Sequence, residues 1–86
     1  METKTKQVSV LVTFNGEERE LTYQPHEEVT AVLNRALDAF GIQSNRHLMA
    51  LYTEAGDELP DRSSVEDVGV KPGDVLVLRP SIVKGG

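Results

Sequence analysis

Two runs of alternating apolar and polar residues, joined by Asn15-Gly16, restrict how the N-terminal third of this sequence can fold. In residues 8–14, valines and a final phenylalanine alternate with serine, leucine and threonine, and in residues 18–24 leucine and tyrosine alternate with polar residues. Period-two alternation is typical of strands with one buried face. Asn-Gly favours a two-residue turn because both residues accept positive φ. The pattern predicts a β-hairpin that ends at Pro25, which cannot donate to a strand ladder.

An amphipathic helix is predicted after the hairpin. Glu27 and Glu28 precede it, where the positive end of a helix dipole favours acidic side chains. Gly41 can adopt the left-handed conformation that closes a helix. The apolar residues recur every three or four positions, as in a helix with one buried face; they are Val29, Val32, Leu33, Ala36, Leu37 and Phe40.

The second half of the chain predicts short elements. Residues 48–53 are apolar on both faces, which is typical of a central strand. A short segment around Leu59 follows, and a serine with an acid three residues later predicts one helical turn over residues 63–67. Residues 71–74 predict a type II turn, and residues 75–78 a final strand. We expect residues 81–86 to be unpaired.

These elements predict an α+β fold, in which one sheet packs on one helix. The length of 86 residues fits a single domain. We expect a flexible N-terminal segment over residues 1–7, a folded body over 8–79 and an extended C-terminal tail over 80–86.

Composition excludes several classes of function. The chain has no cysteine, and therefore no disulfide framework, thiolate zinc site or thiol nucleophile. A net charge of −5 argues against binding to nucleic acid, which needs a basic face. The polar N-terminus does not resemble a signal peptide, and the apolar runs fall far below the roughly 20 residues that span a membrane. We expect a cytoplasmic protein that binds neither nucleic acid nor membrane.

The side chains predict no catalytic or cofactor site. His26 and His47 are the only imidazoles, and they do not have the spacing of metal ligands. Pairs of acidic residues fall in predicted turns and at the predicted helix start, where such residues solvate or cap the backbone. No glycine-rich phosphate loop precedes a helix. We therefore expect no enzyme activity, no metal and no bound cofactor.

The sequence stops at Lys84-Gly85-Gly86, and two interpretations are open. Glycines accumulate at frayed ends and in expression remnants. Alternatively, the terminal carboxylate is reactive, and two residues without side chains let it enter a narrow channel on another protein. Seven residues beyond Arg79 span at most about 25 Å, which is enough to reach a partner's active site.

Six segments, with the order of the elements and the Gly-Gly end, match the pattern of a known family. They are Val8-Ser9-Val10-Leu11-Val12, Glu20-Leu21-Thr22-Tyr23-Gln24-Pro25, Gly41-Ile42, Leu59-Pro60-Asp61, Val65-Glu66-Asp67 with Val70, and Val75-Leu76-Val77-Leu78-Arg79. From Val8 to Gly86 the chain resembles the ubiquitin-like β-grasp proteins, and its acidic, cysteine-free sequence looks like the prokaryotic ubiquitin-like modifiers.

The resemblance implies a mixed sheet packed on the helix, and a monomeric protein that other enzymes attach to their targets. An activating enzyme would use ATP to adenylate the Gly86 carboxylate, and a conjugating enzyme would pass it to a target lysine. A JAB-type protease is a further implied partner. Residues 80–84 are longer than the matching part of ubiquitin and have fewer arginines, and the folded body retains only Lys71. The resemblance therefore favours a modifier over polymeric chains.

The resemblance also implies two sets of functional residues. Gly85 and Gly86 would form the conjugation site, and Arg79 and Lys84 would steer the tail towards acidic partner surfaces. In the final strand, alternation predicts that Leu76 and Leu78 point inward and that Val75, Val77 and Arg79 point outward. An apolar docking surface would lie on this outer face, although strand propensity alone also explains Val75 and Val77. Its residues would be Phe14, Leu48, Ala50, Val75 and Val77.

Two other functions remain open. A sulfur carrier has the same fold and the same Gly-Gly end, but its carboxylate becomes a thiocarboxylate. The fuller middle segment, from Leu48 to Val70, favours the modifier. In a ubiquitin-like interaction domain that is never conjugated, Gly85-Gly86 would be an ordinary tail.

Overall fold

A computed structural model describes residues 8–81, in which four strands pack on one α-helix. The elements are β1 (Val8–Phe14), β2 (Glu17–Tyr23), α1 (Val29–Ala39), a 3-10 turn (Arg46–Leu48), β3 (Met49–Thr53) and β4 (Val75–Pro80). The predicted N-terminal segment, residues 1–7, lies outside the described residues. No helix in the described part of the chain has the length and apolar character needed to cross a membrane.

The predicted hairpin is confirmed. Asn15 and Gly16 have φ values of 53° and 82°, the left-handed pair that a type I′ turn requires. β1 and β2 pair antiparallel over their full length, and β2 spans residues 17–23 where the alternation predicted 18–24. The turn therefore fixes the register in which β1 and β2 pair.

The sheet has the order β2-β1-β4-β3, with β1 parallel to β4 and the other neighbours antiparallel. The prediction that the third strand is central is wrong, because β3 lies at an edge. Residues 57–59 cover this edge: the Thr53 amide donates to the Asp57 carbonyl, and the Leu59 amide to the Leu51 carbonyl, both at 2.9 Å. Both faces of β3 are covered as well: Leu51 packs in the core, and on the other face the Arg79 guanidinium lies over the Tyr52 ring. The segment around Leu59 forms an isolated bridge instead of a strand.

The core lies between α1 and one face of the sheet. The helix buries the apolar stripe that its periodicity predicted, except that Phe40 lies just beyond the last helical residue and is half-buried. The side chains with almost no exposed surface include Leu37 on the helix, Leu51 on β3 and Leu78 on β4. The alternate residues of each strand therefore form the opposite, outer face.

A Glu27–Arg35 ion pair joins the middle of α1 to the turn that precedes the helix. The Glu27 carboxylate accepts hydrogen bonds from the Arg35 guanidinium at 2.8 and 3.1 Å and from the Gln24 amide at 2.9 Å. Arg35 also donates to the Thr22 carbonyl at 2.8 Å. The Arg35 hydrogen bonds, followed by that from Gln24, lower the pKa of Glu27 to about 2. Glu27 therefore binds specific donors in addition to lying near the helix dipole.

The remaining turns are close to those predicted. Gly41 has a φ of 71° and follows the helix, which confirms the predicted left-handed closure. The Asp74 amide closes its turn on the Lys71 carbonyl at 3.0 Å. Residues 63–67 contain no helix. Ser64 forms an isolated bridge with Glu28, and a turn follows in which the Val68 amide donates to the Ser64 carbonyl at 3.2 Å and the Asp67 amide to the Ser64 hydroxyl.

Candidate functional site

β4 leads the chain towards its C-terminus from between two other strands. It continues through Pro80, and the next residue, Ser81, is only 6% exposed and donates its amide to the Leu48 carbonyl at 2.7 Å. The predicted boundary at residue 79 is therefore two residues too early, and Ser81 is not unpaired. The rest of the predicted tail lies outside the described residues, with the candidate site residues Lys84, Gly85 and Gly86.

The Glu58 carboxylate joins Ser81 to β3. Its two oxygens each lie 2.9 Å from the Ser81 hydroxyl, and one accepts from the Tyr52 hydroxyl at 3.0 Å. The backbones of Glu58 and Tyr52 also form a β-bridge. Since a serine hydroxyl has one hydrogen, the two carboxylate oxygens share it. These three side chains form the Glu58 cluster, where the chain leaves the sheet.

Arg79 covers the aromatic member of this cluster. Its guanidinium carbon lies 5.1 Å from the centre of the Tyr52 ring, within the range of a cation–π contact. Ala50 pairs directly with Arg79 across the two strands and is fully buried. The prediction that Ala50 contributes to a docking surface is therefore wrong, because Ala50 has no exposed surface for a partner to contact.

Val75 and Val77 lie on the outer face of the sheet, where alternation predicted them. They alternate with the buried Leu76 and are half-buried. Parallel pairing with β1 places Leu11 beside Val75, and Thr13 beside Val77. These side chains extend an apolar strip across the centre of the outer face.

Phe14 and Leu48 do not belong to this strip, and their predicted placement is wrong. Phe14 has the same phase as the buried residues of β1, and its ring lies 5.5 Å from that of Phe40. Leu48 ends the 3-10 turn and is half-buried. The two residues line a shallow groove at the end of the sheet, together with Ile42 and Pro80. The predicted docking surface is thus divided between two places.

Sequence reasoning missed three residues of the candidate site: Tyr52, Glu58 and Ser81. Alternation from Ala50 places Tyr52 on the outer face, so that signal was present in the sequence. No local pattern predicts the contact between Glu58 and Ser81, because the two residues are 23 positions apart.

His26 and His47 are both exposed. Within residues 8–81, no group of three or more histidine, aspartate or glutamate side chains is placed to hold a metal ion.

A family model described as "Protein of Unknown function (DUF2604)" matches residues 3–86. The chain belongs to this family. The match reaches Gly86, so the two C-terminal glycines fall within the region that the family model covers.

A solved structure supports the fold assignment. It is a designed protein described as based on ubiquitin; 93% of this chain and 95% of the designed chain align with a TM-score of 0.76 and 17% sequence identity. At this identity the likeness shows the fold, and this member of DUF2604 has a ubiquitin-like α+β fold. The comparison with curated proteins finds no match.

Proposed function

We propose that the chain is a ubiquitin-like protein modifier of the prokaryotic type, which acts in the cytoplasm as a substrate of other enzymes. A partner enzyme adenylates the carboxylate of Gly86, whether encoded as the terminus or exposed by cleavage. The carboxylate attacks the α-phosphorus of ATP that the partner binds, and pyrophosphate leaves. The acyl group passes from the adenylate to a thiol of a partner as AMP leaves. A lysine amine of the target then displaces the thiol and forms an isopeptide bond. A conjugating enzyme and a JAB-type protease complete the proposed set of partners.

The position of Ser81 at the end of β4 carries this proposal. A ubiquitin-like body ends there, and only five residues, 82–86, separate it from the Gly86 carboxylate. Five extended residues span at most about 17 Å, which is enough to enter a channel while the body stays outside. The region that matches the family model extends through Gly86.

The outer face beside this exit is the proposed docking surface. Val75 and Val77 are half-buried, and Arg79 adds an exposed positive charge at the same end of β4. Apolar side chains in a charged surface are typical of protein contacts. Lys84 adds a second positive charge to the segment that would enter an acidic partner.

The test uses the trypsin site that the sequence provides at Lys84. Cleavage after Lys84 leaves Gly85-Gly86 attached to any modified lysine, so mass spectrometry identifies the targets directly. The native host expresses the wild-type chain, a chain lacking Gly86, and a chain with one serine added after Gly86. The added serine preserves both glycines but changes the group at the terminus.

The proposal expects the remnant on lysines with the wild-type chain and not with the chain that lacks Gly86. The chain with the added serine should give it only if the host removes that serine and exposes Gly86. A third variant, Val77→Asp, should reduce the yield of conjugate because it places a charge on the docking surface. Glu18→Asp, on the exposed part of β2, is the matched control and should leave the yield unchanged. A wild-type chain that instead exchanges one oxygen for sulfur is a sulfur carrier, and absence of both products leaves an interaction domain. Either result refutes the modifier function.

A further inference from the structure

Contacts that do not involve Ser81 hold Glu58 in place. The residues on either side of it hydrogen-bond along the edge of β3, through the Asp57 carbonyl and the Leu59 amide, and Leu59 is buried in the core. The Tyr52 hydroxyl then fixes the orientation of the carboxylate. The Glu58 carboxylate is therefore a fixed acceptor on the outer face.

Ser81 is held to this fixed acceptor by its side chain and to the body by its backbone. Its hydroxyl lies 2.9 Å from both Glu58 oxygens, while its amide donates to the Leu48 carbonyl on the opposite side. A charged acceptor makes a stronger hydrogen bond than a neutral one. The chain is consequently attached to the body at Ser81, two residues after Arg79.

We propose that Glu58 is a positioning residue that fixes the start of the C-terminal segment at Ser81 and thereby sets the reach of Gly86. With Ser81 held, five residues span at most about 17 Å, whereas release of residues 80 and 81 gives seven residues and about 25 Å. A shorter tether keeps its end at a higher effective concentration near a docked active site. The attachment is independent of the proposed function, while its effect on transfer rests on that function.

The attachment is tested first in the isolated full-length chain, by amide hydrogen exchange. Glu58→Ala and Ser81→Ala should each speed exchange of the Ser81 amide about tenfold, since each removes one charge-assisted hydrogen bond. The double variant should exchange no faster than either single variant, because both remove the same contact. Ser81→Thr keeps the hydroxyl and should restore protection.

Glu54→Ala is the matched control, since Glu54 is an exposed glutamate in the turn after β3. It should leave exchange of the Ser81 amide unchanged, and none of the variants should alter exchange of the Leu37 amide, which lies inside α1. If exchange in Glu58→Ala stays within twofold of the wild type, Glu58 does not hold Ser81 and the inference is wrong.

Reach is tested next in the conjugation assay. Deleting Ile82 and Val83 from the wild-type chain leaves three residues beyond Ser81, and conjugation should fall about tenfold because the tether becomes too short. The same deletion combined with Glu58→Ala should recover part of the yield, because Ser81 then detaches about ten times more often and five residues can extend beyond Arg79. If the deletion is equally harmful with and without Glu58, the proposed limit on reach is refuted. Absence of conjugation in every chain, with the exchange results intact, refutes the modifier function and not the attachment.

Discussion

Replacing Glu27 with glutamine removes one charge where β2, the following turn and α1 meet. Glutamine keeps an oxygen that can accept from the Gln24 amide, so the substitution isolates the charge of the ion pair with Arg35. The pKa of Glu27 falls from an ordinary value of 4.5 to about 2. At about 1.4 kcal/mol per pH unit, that difference sets an upper limit of about 3.4 kcal/mol for its contribution to stability.

Solvent screening reduces the contribution of the Glu27 charge to stability below this upper limit. The Glu27 side chain is 23% exposed and that of Arg35 is 39% exposed. Exposed ion pairs contribute far less than their Coulomb energy, so we expect Glu27→Gln to lower the free energy of unfolding by about 1.5 kcal/mol at pH 7. With a urea dependence of about 1 kcal/mol per molar for a small domain, the midpoint should fall by about 1.5 M.

The pH dependence of this difference has a definite sign. The pKa of Glu27 is lower in the folded chain than in the unfolded chain, so its charge stabilises the fold above pH 4.5. That contribution declines as the pH falls through the window from 4.5 to about 2, where the folded carboxylate also binds a proton. Urea denaturation followed by circular dichroism at pH 7, 5, 4 and 3 should show the wild type and Glu27→Gln converging in the acid.

Glu28→Gln is the control, because Glu28 is the exposed neighbour at the same helix end. It shares any effect of the helix dipole but has no part in the Arg35 contact, and its midpoint should change by less than about 0.5 M. Equal midpoints for the two variants would refute this account of Glu27. A loss of stability in Glu27→Gln that stays constant down to pH 3 would also refute it.

Two further predictions concern the end of α1 and its contact with β1. Gly41→Ala places a Cβ at a φ of 71°, which should lower stability by about 1 kcal/mol and the Tm by about 4–8 °C. Gly41→Asn should lose less stability, because asparagine tolerates this φ better. Equal Tm values for the wild type and both variants would show that the positive φ of residue 41 does not limit stability. The Phe14 and Phe40 rings should show a coupling of about 0.5–1.5 kcal/mol in a double-mutant cycle with leucine at each position, measured by urea denaturation. Additive effects within about 0.3 kcal/mol would show that the rings do not stabilise each other.

The sequence predicted a feature correctly where the residues that determine it lie close together along the chain. The hairpin and helix were predicted because Asn15-Gly16, Gly41 and the apolar periodicities act over a few residues. The position of β3 was not predicted correctly. Arg79 covers the outer face of β3, and residues 57–59 hydrogen-bond along its edge. An apolar strand at a covered edge has the same sequence pattern as a central strand.

The prediction of the docking surface was partly wrong for a different reason. Period-two alternation, taken strictly, places Phe14 on the helix side with Val10 and Val12, and the structure has it there. The resemblance to a docking surface had placed Phe14 on the outer face, against its own phase. Val75 and Val77 lie where alternation alone predicted them.

By itself, the sequence determined the α+β architecture, the hairpin, the helix and the outward phase of β4. These follow from side-chain periodicity and from backbone conformations that few residues accept. Only the tertiary structure decided that Ser81 belongs to the body, since Glu58 reaches it from 23 positions away along the chain. A hydrogen bond between distant residues depends on how strands and loops pack, and no local pattern specifies that packing.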